Sequence, residues 1–119
     1  IGGHPDTAEG ASLSVVVAPL TRGRIPTIVK RVNTVVTPGD VVDVVVTDQG
    51  IAVNPRRPDV KEKLEKAGLH VFTIEQLQKR AEKLVGVPDP IRYKDRIVGV
   101  VMYRDNTIID VIRQIDEDA

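Results

Sequence analysis

Cysteine is absent from the 119-residue chain, and with it go disulfides and thiolate metal ligands. Tryptophan is missing too, and one Phe with two Tyr completes the aromatic set. A core must therefore come from Val, Ile and Leu, residues that favour strands. Net charge is absent as well: seventeen Lys and Arg balance seventeen Asp and Glu. No global field draws nucleic acid or an anionic membrane to the chain, so any anion site is local. No apolar run approaches the roughly 18–20 residues that span a bilayer, and no signal sequence is visible. Neither nucleic acid nor membrane is expected as a partner, and a cytoplasmic location is expected. Position 1 is Ile, inside a glycine motif, so the chain is expected to be a piece of something longer. Its length suits one domain or part of one, able to bury roughly 60–70% of the surface exposed on unfolding.

The pattern that is present mixes strands and helices. Residues 13–18, LSVVVA, form a nearly continuous apolar run ending at Pro19, which predicts a strand buried on both faces. Residues 20–24 read as a polar turn, and 25–36 as extended chain broken near Asn33. Thr37-Pro38-Gly39-Asp40 predicts a type II turn with Gly39 at positive φ. The β-branched run 41–47, interrupted by Asp43, and Ile51-Ala52-Val53 predict a hairpin across Asp48-Gln49-Gly50. Val60, Leu64 and Ala67 share a helical face that ends at Gly68. A second amphipathic helix carries its own start signals. Thr73 and Gln76 have capping-box spacing, Phe72 and Leu77 suit a hydrophobic staple, and Leu77, Ala81, Leu84 and Val85 line its stripe before Gly86. After Val87-Pro88-Asp89-Pro90, residues 97–103 and 107–112 predict a second hairpin turning at Arg104-Asp105-Asn106. The acidic end, Asp116-Glu117-Asp118, reads as a solvated tail.

Candidate chemistry concentrates at the start. Gly2 and Gly3 permit either a tight turn or close approach of backbone N–H groups to an oxyanion or phosphate, with His4 and Asp6 beside them. In the turn reading Asp6 caps a short helix over residues 8–11. His4 and His70 lack metal-ligand spacing, so no metal is expected, and Ser12 and Ser14 lack a nucleophile elbow. Two short basic clusters, Arg22-Gly23-Arg24 and Arg56-Arg57, suit bidentate contact with carboxylate or phosphate. Each also suits a solvated loop or a structural ion pair. Asn54, Arg56 and Arg57 sit where a strand runs into a helix start, a common ligand position in open α/β sheets.

Three stretches in order carry a resemblance: GGHPDTAEGA (2–11), VVAPLTRGRIPTIVKRVNTVVTPGDVVDVVVTDQGIAVNPRRPD (16–59) and RIVGVVMYRDNTIIDVIRQI (96–115). Across nearly the whole chain this wording resembles the C-terminal part of citrate lyase alpha subunits, the citrate CoA-transferases. The resemblance implies an α/β fold with an open sheet of the CoA-transferase type, residues 1–119 ending the second of two similar halves. It implies an exchange in which acetyl on an acyl carrier protein is replaced by citrate, giving a citryl thioester and acetate. The thiol belongs to a CoA-like prosthetic group on the carrier, which reconciles thioester chemistry with a cysteine-free chain. Implied partners are citrate, the acetyl thioester, and the beta (lyase) and gamma (acyl carrier) subunits of an oligomeric complex. Gly2 and Gly3 become candidate oxyanion donors. His4, Asp6, Arg22, Arg24, Asn54, Arg56 and Arg57 become candidates for binding substrate or cofactor. The glutamate nucleophile of many CoA-transferases belongs upstream of the glycine loop; none is assigned here, and the chain alone is expected to be inactive. Two alternatives stay open: a relative acting on another carboxylate, such as an acetyl-CoA hydrolase or butyrate-type transferase, and a scaffold that docks lyase and carrier subunits.

Overall fold

The β-branched run organises the sheet. In a computed structural model that describes residues 2–118, Val44–Thr47 (β4) and Gly50–Val53 (β5) pair antiparallel, with Val44 opposite Val53 and Thr47 opposite Gly50. The connection is shorter than expected. Asp48 and Gln49 alone make the turn, and Thr47 Oγ1 closes it by donating to the Gly50 carbonyl at 2.8 Å while accepting from Gln49 N at 3.1 Å. Val15–Val17 (β1) runs parallel to β4, and Val71–Phe72 (β6), unforeseen in the sequence, runs parallel to β5. The mixed sheet therefore has the order β1-β4-β5-β6.

The run at 13–18 does form a strand, but the expected burial fails. Val15 and Val17 are 46% and 76% exposed. β1 is an edge strand paired only with β4; its Val16 is half-buried, while the face that carries Val15 and Val17 is left open among the described residues. The polar stretch at 20–24 is not a simple turn either. Thr21–Arg22 (β2) and Ile25–Pro26 (β3) pair around Gly23, whose φ of +61° makes a very tight hairpin possible. No strand continues beyond Pro26 toward residue 36.

Residues 37–40 depart from the expected type II turn. Pro38 has the anticipated φ of −59° and ψ of 138°, but Gly39 starts a 3₁₀ helix, Gly39–Val41. The consecutive bonds Val41 N to Pro38 O and Val42 N to Gly39 O keep Gly39 out of the left-handed region.

Both amphipathic helices form. Pro58–Lys66 (α2) ends before Gly68, at φ +87°, and its exposed face carries the Glu62–Lys66 pair at 2.9 Å. In Ile74–Val85 (α3), the Thr73 hydroxyl accepts from Gln76 N at 3.1 Å while Gln76 Oε1 accepts from Thr73 N at 2.8 Å, the reciprocal box that the spacing predicts. Leu77 and Ala81 of α3 are fully buried against Leu20 and Ala52, with Ile28 and Phe72 packed around them. His70 stacks edge-on against Phe72 at 4.4 Å, which accounts for it as a packing residue.

Tyr93–Met102 (β7) and Ile108–Ile115 (β8) make a long antiparallel hairpin, extending past the expected 97–103 and 107–112. Asn106 turns it at φ +66°, as its tolerance of the left-handed region predicts. Register shifts between Tyr93 and Met102 mark bulges along it.

Candidate functional site

Gly2 and Gly3 lead directly into a short helix, His4–Gly10 (α1). Asp6 does not cap it. Gly3 occupies the cap position at φ −78° and ψ −8° with no side-chain cap, and Asp6 lies inside the first turn. Pro5 explains the early start: its fixed φ suits a helix's first turn, where a missing N–H costs nothing. Gly2, at φ +90°, holds a conformation that side chains resist, whereas Gly3 does not. A Cβ at either glycine would meet no atom within 4 Å, and neither amide is paired with another described residue. Both residues are exposed, and their N–H groups have no partner among the described residues.

Contacts from distant parts of the chain fix this segment. His4 Nδ1 shares a 2.9 Å hydrogen bond with Thr37 Oγ1. At the hairpin tip, Arg104 Nη1 donates to the Asp6 carbonyl at 3.2 Å. Thr7 Oγ1 lies 2.9 Å from the Gly3 carbonyl, to which it donates. Beyond α1, Ser14 N donates to Asp43 Oδ2 at 2.8 Å, and Arg57 Nη1 donates to the Ser12 carbonyl at 3.0 Å.

The four arginines divide into different kinds. Arg57 is engaged at all three nitrogens: Nη1 lies 3.2 Å from Asp43 Oδ1, and Nε and Nη2 fork onto the two Asp59 oxygens at 3.2 and 3.3 Å. The hydrogen bonds with Asp59 raise the Arg57 pKa and hold the Asp59 carboxyl below its ordinary value. Arg56 is two-thirds exposed and meets Asp40 at 3.2 Å, an exposed pair of little energetic weight. Arg22 and Arg24 belong to the β2–β3 hairpin, and their side chains make no hydrogen bond or ion pair among the described residues. Asn54 is committed internally. Its Nδ2 donates to the carbonyls of Gly39 at 3.1 Å and Val42 at 3.0 Å, and its Oδ1 accepts from Arg56 N at 3.1 Å.

A cavity of about 300 Å³ lies between α1 and this arginine pair, lined by Ala8, Glu9, Asp40, Asp43, Arg56 and Arg57. A larger one, about 450 Å³, lies along β7 and β8 among Lys94, Val98, Ile112 and Arg113, away from every candidate residue. Gly2 and Gly3 line neither. The candidate residues thus divide between the smaller cavity, which Arg56 and Arg57 line, and the glycine segment, which lines neither. Among the described residues, no group of three His, Asp or Glu side chains gathers at metal-binding distance. Nor is any helix of the described residues long and apolar enough to cross a membrane.

The arrangement thus brings together Gly2, Gly3, His4 and Asp6 in one segment and Arg56 and Arg57 at its far side. Arg22 and Arg24 stand on a separate hairpin. Asp43, Thr37 and Arg104 are the contributors missed by sequence reasoning. For Asp43 a signal existed, because a carboxylate inside a β-branched run requires a buried partner. Nothing local marks Thr37 or Arg104.

By fold, the chain is a mixed α/β unit with open sheets and three α-helices, presenting a glycine-led segment held by hydrogen bonds with Thr37 and Arg104. The family model for the citrate lyase alpha subunit (CitF) matches residues 1–115, and the chain belongs to that family. It is 60% identical over 114 residues to the citrate lyase alpha chain of Klebsiella pneumoniae, covering 96% of this chain and 22% of that one. With the Escherichia coli (strain K12) alpha chain it is 56% identical over 116 residues, covering 98% and 23%. Its structure also matches a crystal structure described as the alpha subunit of citrate lyase in complex with citrate, from Streptococcus mutans. That match has a TM-score of 0.93 and 53% identity, over 97% of this chain and 22% of the other. The chain spans less than a quarter of the length of the curated relatives it matches.

Proposed function

We propose that this chain supplies part of the thioester-exchange site of a citrate CoA-transferase of the CoA-transferase fold, with the Gly2 and Gly3 amides as oxyanion donors. A carboxylate oxygen of citrate bonds to the acetyl carbonyl carbon of a carrier thioester, and the C–S bond breaks to release a thiolate. The thiolate then attacks the citryl carbonyl of the resulting mixed anhydride, and acetate leaves. Each attack builds negative charge on a carbonyl oxygen, which a fixed donor typically stabilises by about 2.7–4 kcal/mol. Backbone without side chains is the least obstructive source of such donors.

The observation that carries this reading is the pair of amides left free at the head of a segment whose other end is pinned by Arg57 and Asp43. The segment's match to the alpha-subunit family supports it, and so does the citrate in the related Streptococcus mutans structure. Citrate's remaining carboxylates need cations, for which Arg22, Arg24 and Arg56 are the exposed candidates. His4 and Asp6 are assigned to positioning at the same segment. The CoA-like group reaches this site as part of the carrier substrate, and the lyase and carrier subunits are the proposed partners.

The test is acetyl-to-citryl exchange by the full-length alpha subunit containing this segment, with acetyl carrier protein as donor. Exchange with citrate is expected. Activity with acetate or butyrate and none with citrate would replace this assignment with that of a relative acting on another carboxylate. No exchange with any carboxylate, together with retention of lyase and carrier subunits in pull-down, would leave the docking role.

A further inference from the structure

We infer that Arg57 is a positioning residue for the glycine-led segment and not a ligand for the anionic substrate, although its sequence setting at a strand-to-helix junction invites the second role. The inference rests on the transferase reading for its kinetic part only. Geometry separates the two roles. A guanidinium offers its N–H groups in a fixed fork, and here Nε, Nη1 and Nη2 are each directed to a protein oxygen: Asp59 on one side, Asp43 and the Ser12 carbonyl on the other. A bidentate grip on a substrate carboxylate would cost Arg57 its fork on Asp59 or an Nη1 contact with Ser12 or Asp43, and the Asp43 side chain, only 12% exposed, is left poorly solvated without a cation.

The same pair reaches the backbone that follows α1. Arg57 holds the Ser12 carbonyl and Asp43 holds the Ser14 amide, so the residues between are fixed from both hydrogen-bonding directions. Ser14 O in turn accepts from Asp43 N and Val44 N, both at 3.0 Å, which seats the segment on the start of β4. Arg57 thus ties α1's exit to the sheet and to the first turn of α2, where Asp59 lies. A helix of seven residues has too few hydrogen bonds of its own to hold a fixed direction, so its external anchors set where Gly2 and Gly3 point. Arg56 lacks this network and is the cation of the pair left accessible.

The experiment compares Arg57→Ala, Arg57→Lys, Asp43→Asn and, as a control on the exposed face of α2, Lys66→Ala in the full-length subunit. Hydrogen exchange on a peptide covering residues 2–14 reads the clamp without any assay of activity. Arg57→Ala and Asp43→Asn are expected to accelerate exchange there by about tenfold or more, as loss of one charged hydrogen bond entails, with the peptide covering α3 unchanged. Lys66→Ala should match the parent protein. In the exchange assay, Arg57→Ala should lower kcat by about 10²-fold, the cost of a misplaced reacting group, while the KM for citrate stays within about twofold. Arg57→Lys, which keeps charge but loses the fork, should fall between. Should Arg57→Ala be too unstable to purify, Arg57→Lys and Asp43→Asn carry the same comparison. A raised KM for citrate at unchanged kcat would make Arg57 a substrate ligand and overturn the inference. So would parent-like exchange over residues 2–14, or acceleration spread equally to α3. An inactive parent subunit would remove the transferase reading and leave the exchange comparison to decide the clamp.

Discussion

At Gly50 an added Cβ would sit 2.6 Å from Phe72 Cδ2 and 3.2 Å from Leu77 Cδ2, on a backbone at φ +153°. Leu77 is fully buried and the half-buried Phe72 packs against the same cluster, so making room disturbs the core. Gly50→Ala is therefore expected to destabilise the subunit by about 1–3 kcal/mol, the range for overpacking, read as a lower thermal midpoint. An unchanged midpoint would mean that this interior yields more easily than its contacts imply. Gly3 is a glycine for a different reason: its surroundings are open and its φ is ordinary, so nothing in the fold forbids a side chain there. The sequence alone did not separate these glycines. Gly50 reads as a turn residue because Phe72, more than twenty positions away, is what makes it obligatory. Arg57 is similar: its partners Asp43 and Ser12 are distant in sequence, and only Asp59 is a near neighbour.

Among the elements, the stretch between β3 and the 3₁₀ turn has no strand of its own and depends on the hairpin. Val35 N donates to Asp110 Oδ2 at 2.7 Å, and Val111 N donates to Oδ1 at 2.7 Å. These two backbone donors, Val35 first, hold the Asp110 carboxyl below its ordinary value. Because the folded value is lower than the unfolded one, the stabilisation is complete above the usual aspartate pKa, about 3.9, and is lost as pH falls through the lowered folded value. The Val35 amide should therefore exchange faster only below the ordinary carboxylate range, and Asp110→Ala should show that fast exchange at neutral pH. Parent-like protection of Val35 in Asp110→Ala would contradict the anchor. Since Thr37, in the same stretch, meets His4, the hairpin and the glycine segment share a support. What the sequence revealed at this scale was whatever is encoded locally. The Thr73–Gln76 box, Gly68 past α2 and Asn106 in the hairpin turn each need only a few neighbouring residues. β1's exposure, β6 and the 3₁₀ turn at Gly39 depend on which strand lies next in the sheet or which carbonyl is within reach, and periodicity carries neither.

Over the whole molecule, the described residues span 51 × 37 × 19 Å with a radius of gyration of 16.2 Å. A compact chain of this length has a radius of about 13–14 Å. The excess fits the long hairpin, and the extended shape leaves apolar side chains in the open, among them Val17, Val87, Met102 and Ile108. Both strands of the hairpin carry such exposed residues, a pattern that marks a face for contact with other protein. The matched relatives are more than four times as long as the aligned region, so the remainder of an alpha subunit is available to cover these faces. The 119-residue chain by itself should accordingly bind an apolar dye such as ANS, and the full-length subunit should bind much less per chain. Equal dye binding by both would show that the faces stay bare in the larger protein.

If backbone amides at the head of this chain meet a reacting carbonyl, Gly3→Val in the full-length subunit will reveal it. No protein atom crowds the site and φ is −78°, so the thermal midpoint should match the parent's. Acetyl-to-citryl turnover should fall by about 10²-fold or more, because the added side chain leaves the amide in place but crowds the reacting carbonyl away from it. Parent-like turnover with an unchanged midpoint would contradict the claim.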